Sequence, residues 1–329
     1  MFRIAFIGCG GIANAHARIL KELPNVQLTA FCDLVKERAA QFKEIYGEGK
    51  GHVYTDFRKM YDRERVDVVY ICLPPFAHTD EVERAAEQGV HVFIEKPIAL
   101  DMDTANRMVA AVEQHKIKAQ VGFLFRFGDA IEVVKEMIAS GKAGEPGLFM
   151  GRYFCNSLHS PWWRDQSKSG GQVVEQIVHT FDIARYLMGD VASVYCAMDN
   201  RFHQDVADYT VEDVSATVLR FRNGAVGTVS GTNGAIPGKW LSDYKVVTRY
   251  ITVYFDDANN AILHHTDSTS GKTTTIHSEK SVMEVETLDL LQAIEEDREP
   301  RTPMREGAET LRLVLAIAKS GETGEVVRL

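Results

Sequence analysis

Three side chains on one stretch of the chain, Glu175, His179 and Asp182, have the types and spacing needed for proton transfer. On a helix, Glu175 and His179 would be i, i+4 neighbours, and Asp182 would lie one turn beyond the imidazole. Histidine titrates near neutrality and can accept a hydroxyl proton, while a carboxylate in contact orients it and stabilises its charged form. The trio therefore predicts a general base. A metal site is disfavoured because no second cluster of histidine or cysteine stands at ligand spacing.

A second candidate for chemistry is Lys96, in the turn Glu95-Lys96-Pro97 that directly follows the apolar residues 92–94. In an open α/β sheet, ligands bind beyond the carboxyl ends of the strands, so this ammonium group is expected in a crevice. The residues alone fit two plainer roles equally well. Lys96 could be a solvated surface lysine or simply a partner for Glu95.

The element that would position Lys96 is predicted from the start of the chain. An apolar strand at residues 3–7 runs straight into a G-x-G-x-x-A loop, which is a fingerprint of dinucleotide binding when a helix follows. Gly8 permits the tight turn, Gly10 lets the backbone approach a pyrophosphate, and Ala13 lets the helix sit close on the sheet. The loop residues predicted to contact the cofactor are Gly8, Gly10, Gly11, Ile12 and Ala13.

The choice between NAD and NADP rests on Asp33, which ends the second predicted strand at residues 27–32. It stands about 20 residues after the glycine loop, where an acidic side chain binds the ribose 2′-OH. Leu34 follows, so no adjacent cation would neutralise a 2′-phosphate, and NAD is favoured. Lys36 and Arg38 are near enough in sequence to leave NADP as the less favoured alternative.

Helix and strand signals alternate up to residue 122 and predict a Rossmann domain over residues 1–122. Its strand at 66–73 ends in a Pro74-Pro75 turn that could hold its backbone against the nicotinamide. For His78, a structural role at the start of the next helix is the simpler interpretation. The remaining residues predicted to contact the cofactor are Leu73, Pro74, Pro75, His78, Glu95 and Lys96.

The motifs of this chain, in this order, resemble those of the Gfo/Idh/MocA family, which includes glucose-fructose oxidoreductase and inositol dehydrogenase. They are the glycine loop, Pro74-Pro75 with His78, Glu95-Lys96-Pro97, and Gly170-Gly171 leading to His179 and Asp182. The resemblance spans nearly the whole chain. It implies that Lys96 is a catalytic residue touching cofactor and substrate oxygen, that His179 is the catalytic histidine, and that the bond before Pro97 is cis. The family commonly has Asp where this chain has Glu175, which leaves the proton relay and the substrate class open.

Residues 123–329 are predicted to form an α+β domain that binds the substrate and mediates oligomerisation. A long loop at 156–169 carries adjacent tryptophans and Arg164, and irregular loops of this length are usually functional or disordered. Two interpretations stay open: the tryptophans plug the core or an oligomer contact, or they form a lid that stacks on a sugar while Arg164 binds oxygens. The residues predicted to bind substrate are Lys96, Arg126, Trp163, Arg164, Gln176, His179 and Asp182.

A single helix is predicted over residues 172–188, with one polar and one apolar side. Its polar arc contains no Lys or Arg, which favours a substrate-facing surface over a solvated one. The arc comprises Gln172, Glu175, Gln176, His179, Asp182 and Tyr186, with Ile183 as the exception.

The rest of the chain predicts a mainly antiparallel sheet, open on one face and covered by helices on the other. One continuous strand is predicted at 245–255, and helices are predicted at 284–296 and 305–319. The Thr/Tyr face of that strand is a candidate subunit interface of a homodimer or homotetramer. It comprises Val246, Thr248, Tyr250, Thr252 and Tyr254.

The composition of the chain further limits which partners and which cellular compartment are expected. A net charge of -9 argues against partners such as nucleic acid or an anionic membrane, because an acidic surface is repelled by both. Five widely spaced cysteines without a C-x-x-C pair suggest reduced thiols in a cytoplasm. No apolar run approaches 18 residues, so we expect a soluble cytoplasmic protein.

These observations predict an NAD(P)-dependent dehydrogenase that acts on a hydroxyl of a sugar, cyclitol or related polyol. His179 would take the hydroxyl proton, with Glu175 tuning it, and Lys96 would stabilise the developing alkoxide. Two further functions remain open. One is a nucleotide-bound sensor or regulator of the same fold, and the second is a redox-assisted epimerase or lyase with no net NADH.

Overall fold

The computed structural model describes residues 1–267 and 271–329, and within them the chain divides into two compact units. The first unit comprises Met1–Gly122 and Met283–Ala308, and the second comprises Phe123–Val282 and Glu309–Leu329.

The return of Met283–Ala308 to the first unit differs from the sequence-based division into 1–122 and 123–329. Its cause is packing. Leu290 and Leu291 lie in the same buried cluster as Ile4 and Phe6 of the first strand. Nothing in the helical pattern of this segment indicates which sheet it will cover.

The first unit is built on a six-stranded sheet. Its strands are β1 Phe2–Ile7, β2 Val26–Cys32, β3 His52–Tyr54, β4 Val68–Ile71, β5 His91–Ile94 and β6 Ala119–Val121. All pairings are parallel, in the order β3-β2-β1-β4-β5-β6. The order reverses between β1 and β4, and nucleotides bind at such switch points, beyond the carboxyl ends of the strands. The predicted Rossmann fold is confirmed.

The helices of this sheet are amphipathic or short. They are α1 Gly11–Lys21, α2 Lys36–Tyr46, α3 Phe57–Arg63, α4 Glu81–Glu87 and α5 Met102–His115. In α1 the buried side is spaced at i, i+3 and i+4 and packs on the sheet. It consists of Ala13, His16, Ala17 and Leu20. Neither β3 nor α3 was predicted from the sequence, because both are short and have little apolar periodicity.

The second unit contains a nine-stranded sheet in the order β14-β13-β12-β11-β7-β10-β9-β8-β15. Its strands are β7 Pro146–Phe154, β8 Val191–Asp199, β9 Val214–Phe221, β10 Val226–Thr232, β11 Leu241–Thr248, β12 Ile251–Phe255, β13 Ala261–His265, β14 Thr273–Ile276 and β15 Val327–Arg328. Among the described strands of this sheet, only β7 and β10 pair in parallel. Buried and exposed residues alternate along β9, as they do in a sheet covered on one face.

The remaining helices include four that precede β8 and two near the end of the chain. They are α6 Asp129–Ala139, α7 Gln166–Ser169, α8 Gln172–Glu175, α9 Val178–Met188, α10 Val282–Glu295 and α11 Met304–Thr323. Within the part of the chain that the structure describes, no helix is both long and apolar enough to span a membrane.

The prediction of one continuous strand at 245–255 is wrong, because β11 ends at Thr248 and β12 begins at Ile251. The turn between them reverses the chain and resets the alternation of faces. Val246 and Thr248 are therefore buried together with Val253. The outward face of the hairpin instead carries Val247, Thr252 and Tyr254.

Candidate active site

The loop after β1 has the conformation that a dinucleotide site requires. Gly8 has φ of +88°, and a Cβ there would overlap the carbonyl oxygen of Cys72, so only glycine fits. A Cβ on Gly10 or Gly11 would meet no described atom within 4 Å, which leaves the backbone open to a ligand. Gly10 occupies the N-cap position of α1 and has no side chain to bond to the first N–H groups of the helix. These groups are therefore available to a pyrophosphate.

Asp33 is held at the end of β2 by two backbone groups. Its Oδ2 accepts a hydrogen bond from the N–H of Cys9 at 2.9 Å, and its Oδ1 accepts one from the N–H of Val35 at 2.8 Å. A carboxylate oxygen has a further lone pair, so both oxygens can still accept bonds from ribose hydroxyls. This arrangement fits the predicted contact with an NAD ribose.

The loop after β4 divides the predicted cofactor residues into two groups. Leu73 and Pro74 are half-buried, and Pro75 begins a short 3-10 turn. The side chain of His78 is only 1% exposed, and its Nδ1 lies 2.5 Å from Oε1 of Glu81. His78 therefore anchors the start of α4, which agrees with the simpler interpretation, and its cofactor contact stays a prediction.

The turn after β5 carries Lys96 as a half-buried side chain, and its Lys96–Pro97 peptide bond is cis, as the resemblance implied. Glu95 is buried and used within the unit. Its Oε1 lies 3.0 Å from Nε2 of His16, and its Oε2 accepts the N–H of Lys96 at 3.2 Å. Glu95 therefore has a structural role in this unit, and its predicted cofactor contact stays a prediction.

The predicted helix 172–188 is interrupted between α8 and α9. The N–H of Ile177 bonds to the carbonyl of Gln172, one residue further back than in an α-helix. Glu175 and His179 are consequently not i, i+4 neighbours on one regular helix, and the polar arc is not continuous. Its members are mostly buried, which excludes a solvated face.

Two glycines and one buried acid shape the chain before α8. Gly170 and Gly171 have φ of +79° and +97°. A Cβ on Gly171 would overlap the carboxyl group of Glu212, whose Oε1 accepts the N–H of Val173 at 2.6 Å. Burial raises the pKa of Glu212 to about 7. This carboxyl group thus supplies acceptors for the start of α8, where no side-chain cap exists.

Helix α9 lies close on β7 and β10 because both strands have glycine beneath it. A Cβ on Gly151 would come within 2.6 Å of Thr180, and one on Gly231 would overlap Ile177. His179 is 7% exposed, with its ring centroid 5.0 Å from that of Phe125 and 6.5 Å from that of Phe123. The imidazole therefore stands in mainly apolar surroundings within the second unit.

Trp163 is part of a buried cluster rather than a stacking surface on a lid. It is 2% exposed and packs with Tyr209 and Val211. Its Nε1–H donates to Oε2 of Glu175 at 2.6 Å. Of the two interpretations of this loop, the core plug is the one that the structure has, and the predicted substrate contact of Trp163 is corrected. The tryptophan instead fixes the carboxylate of Glu175.

Arg164 and Gln176 both bond to the segment around His159. The Nε of Arg164 donates to the carbonyl of Leu158 at 2.7 Å, and one of its terminal nitrogens donates to that of His159 at 3.0 Å. The Nε2 of Gln176 lies 3.0 Å from Nε2 of His159, and the Oε1 of Gln176 lies 3.6 Å from the thiol of Cys155. These contacts hold the loop, and substrate contacts of Arg164 and Gln176 stay predictions.

Arg126 and Asp182 form a buried ion pair instead of two substrate contacts. Asp182 is 1% exposed, and its two oxygens accept bonds from Nε and a terminal nitrogen of Arg126 at 2.8 and 2.7 Å. The hydroxyl of Thr310 donates to the same carboxylate at 2.9 Å. The predicted substrate roles of Arg126 and Asp182 are therefore corrected, because the polar atoms of Asp182 are engaged within the unit.

Three residues that support these side chains were not predicted from the sequence: His16, Glu212 and Thr310. His16 could have been found, because it shares the buried side of α1 with Ala13 and Leu20, and a lone polar group there needs a partner. Glu212 and Thr310 carry no such local signal. Their partners lie 39 and 128 residues away.

Comparisons with known proteins agree with this architecture. Residues 2–123 match the family model described as "Oxidoreductase family, NAD-binding Rossmann fold", and residues 131–274 match the "GFO/IDH/MocA C-terminal domain". The chain is 30% identical to myo-inositol 2-dehydrogenase of Thermotoga maritima over 237 residues, which are 72% of this chain and 70% of that protein. It is also 30% identical to scyllo-inositol 2-dehydrogenase (NAD(+)) of Bacillus subtilis over 235 residues, 70% of this chain and 67% of the relative.

A solved structure supports the fold over nearly the whole length. Levoglucosan dehydrogenase in complex with NADH and L-sorbose matches with a TM-score of 0.89, covering 99% of this chain and 98% of the matched one. Because the two sequences are 21% identical, this likeness shows the fold alone.

Proposed function

Because the chain belongs to the Gfo/Idh/MocA family of oxidoreductases with an NAD-binding Rossmann fold, we propose that it oxidises a hydroxyl-bearing carbon of a sugar, cyclitol or related polyol. Family membership confirms the prediction of an NAD-dependent oxidoreductase. The substrate class is our proposal, supported by the inositol dehydrogenases among its relatives.

NAD fits the carboxyl edge of the six-stranded sheet. The open backbone at Gly10 and Gly11 and the uncapped helix start would hold the pyrophosphate, and Asp33 would accept bonds from a ribose. The backbone of Leu73 and Pro74 would line the nicotinamide end. When bound, NAD supplies the hydride acceptor, so that one C–H and one O–H bond of the alcohol are replaced by a carbonyl.

The single observation that carries the proposal is the position of Lys96, directly after β5 at the sheet edge where the glycine loop also begins. We assign to its ammonium group a hydrogen bond to the substrate oxygen, which stabilises the negative charge that develops there. His179 takes the hydroxyl proton as general base.

Glu175 is proposed to support His179, although the helix between them is interrupted. Its carboxylate is held by Trp163, so its orientation does not depend on a bound substrate. Gln176 and Arg164 are proposed to help orient substrate hydroxyls. They would do so through groups not used in the contacts to the His159 segment.

The test measures oxidation of a panel of cyclitols and sugars by the absorbance of reduced nicotinamide. Lys96→Ala and His179→Ala are each expected to lower kcat by about 10²- to 10⁴-fold, because each removes a group that acts in the transition state. Binding of NADH, measured by its fluorescence, should change only a few-fold. Matched controls are Lys118→Ala, at the opposite end of the sheet, and His115→Asn, at the exposed end of α5.

Turnover that survives in Lys96→Ala would overturn the role of that residue. A wild-type protein that binds NADH but turns over none of the panel would favour the sensor. Conversion of a panel compound to a new product, without a change in the absorbance of reduced nicotinamide, would favour an epimerase or lyase with no net NADH.

We also propose that the chain forms a homodimer or homotetramer through the outward face of its nine-stranded sheet. Apolar side chains are exposed there on neighbouring strands, and contiguous patches of this kind mark interfaces. They include Met150, Tyr195, Val218, Tyr254 and Ile262. Analytical ultracentrifugation at micromolar concentration tests this, and Val218→Glu is expected to shift the protein towards monomer. A wild-type protein that sediments as a monomer would refute the assembly.

A further inference from the structure

A buried polar pair connects the helix after the glycine loop with the turn that carries Lys96. His16 in α1 is fully buried, and Glu95 at the end of β5 is 8% exposed. The Nε2 of His16 lies 3.0 Å from Oε1 of Glu95, although the two residues are 79 positions apart in sequence. Polar groups this deeply buried are costly unless they are satisfied, so the pair fixes the relative position of these two elements.

The second oxygen of Glu95 holds Lys96 itself. Oε2 accepts the backbone N–H of Lys96 at 3.2 Å. Gly122 lies against the same carboxylate, because a Cβ there would come within 2.9 Å of Oε2. One carboxylate therefore contacts α1 through one oxygen and the backbone of the turn through its second oxygen, in a space that only glycine leaves open.

The hydrogen-bond pattern defines how many protons this pair carries. The hydroxyl of Thr287 donates its only proton to the carbonyl of Met283 at 2.8 Å. It can therefore only accept from Nδ1 of His16, which lies 3.3 Å away, so Nδ1 carries a proton. The bond between Nε2 and Glu95 then contains one further proton, attached either to the imidazole or to the carboxyl group.

We propose that His16 is a positioning residue for Lys96, acting through a His16–Glu95 bond that contains one shared proton while Nδ1 donates to Thr287. This inference rests on the proposed function only in that Lys96 is the group being positioned. Loss of the pair frees the backbone of the turn from α1 and displaces the ammonium group. A displacement of about 1 Å is enough to cost on the order of 10²-fold in rate.

The first experiment compares variants by kcat and by NADH affinity. His16→Ala and Glu95→Ala are each expected to lower kcat by about 10- to 100-fold while NADH binding changes much less. Glu95→Gln should recover most of that loss, because its amide can donate to Nε2 of a neutral His16 and its oxygen can accept the N–H of Lys96. Tyr46→Phe is the matched control, since it removes a 2.8 Å bond from Asn14 of the same helix without touching Glu95.

Two results would overturn the proposal. One is a His16→Ala protein whose kcat falls no further than that of Tyr46→Phe at similar stability. The second concerns the double variant, His16→Ala with Glu95→Ala. If its fold loss in kcat equals the product of the two single fold losses, the residues act independently, whereas residues that act through one bond are not additive.

A readout without activity separates this inference from the role of Lys96. In protein labelled with ¹⁵N-histidine, Nδ1 of His16 is expected to be protonated at pH 7, and Thr287→Val should alter its signal. An unprotonated Nδ1 would overturn the proton assignment even in an active enzyme. If instead Lys96→Ala retains turnover while the ¹⁵N signals are as expected, the proposed function fails and the buried pair stands as structure.

Discussion

The two units present their polar groups in different ways. In the first, the groups proposed to hold NAD follow the ends of neighbouring parallel strands, and most of them are backbone atoms at Gly8 to Gly11 and at Pro74. In the second, the polar side chains of the predicted site are engaged with one another, as Arg126 is with Asp182 and Trp163 with Glu175. The first site depends on open backbone, and the second depends on buried pairs. A mutation in the first unit can therefore weaken NAD binding without lowering the stability of the fold. A mutation among the buried pairs of the second unit should change both function and stability.

The largest effect is expected from Asp182→Asn, which leaves Arg126 buried without its anion. Removing one partner of a buried ion pair costs about 3–5 kcal/mol. Urea unfolding followed by tryptophan fluorescence measures this in the relevant unit, since Trp162, Trp163 and Trp240 all belong to it. Glu145→Gln, which removes the exposed pair with Arg249, should leave the midpoint nearly unchanged. Equal midpoints for the two variants would contradict the difference drawn between buried and exposed pairs.

Glu212, a second buried carboxyl group of the same unit, is expected to make stability depend on pH. In the folded chain burial raises its pKa to about 7, whereas the unfolded carboxyl has its ordinary value of 4.5. The stability that this group contributes is therefore fully present below pH 4.5 and is lost as the pH rises through 7, on the order of 3 kcal/mol in all. The difference in unfolding free energy between wild type and Glu212→Gln, measured from pH 5 to pH 8, should follow this loss. A difference that stays constant over that range would show that the carboxyl is ionised throughout.

The smallest stability effect, and the sharpest contrast, is expected within the glycine loop. Gly8→Ala combines a positive φ with an overlap at Cys72, so it should lower the stability of the first unit by about 1–3 kcal/mol. Gly10→Ala meets no described atom and should leave the melting temperature unchanged in calorimetry while weakening NADH binding. A Gly10→Ala protein with normal NADH affinity would argue against backbone contact at that position.

The same difference accounts for what could be predicted from the sequence. Gly8, Asp33 and Lys96 follow strand ends, so local patterns were enough to bring them to one edge of the sheet. The pairings of Asp182 with Arg126 and of Glu175 with Trp163 depend on tertiary packing. The interruption between α8 and α9 was missed because residues 172–188 have good helical periodicity. The break coincides with the close packing of Ile177 and Thr180 on glycines of β10 and β7, which are distant in sequence. The hairpin at 249–250 was missed because its turn contains neither glycine nor proline.

The return of Met283–Ala308 to the first unit bears on how the protein is made. Residues 1–122 leave the ribosome long before Leu290 and Leu291, which complete their buried cluster, and before Thr287, which bonds to His16. The nucleotide-binding unit therefore reaches its final packing only after residues 283–308 have been synthesised. A gene fragment ending at residue 122 would encode an unfinished domain, and fusion or truncation designs must keep the distant segment with it.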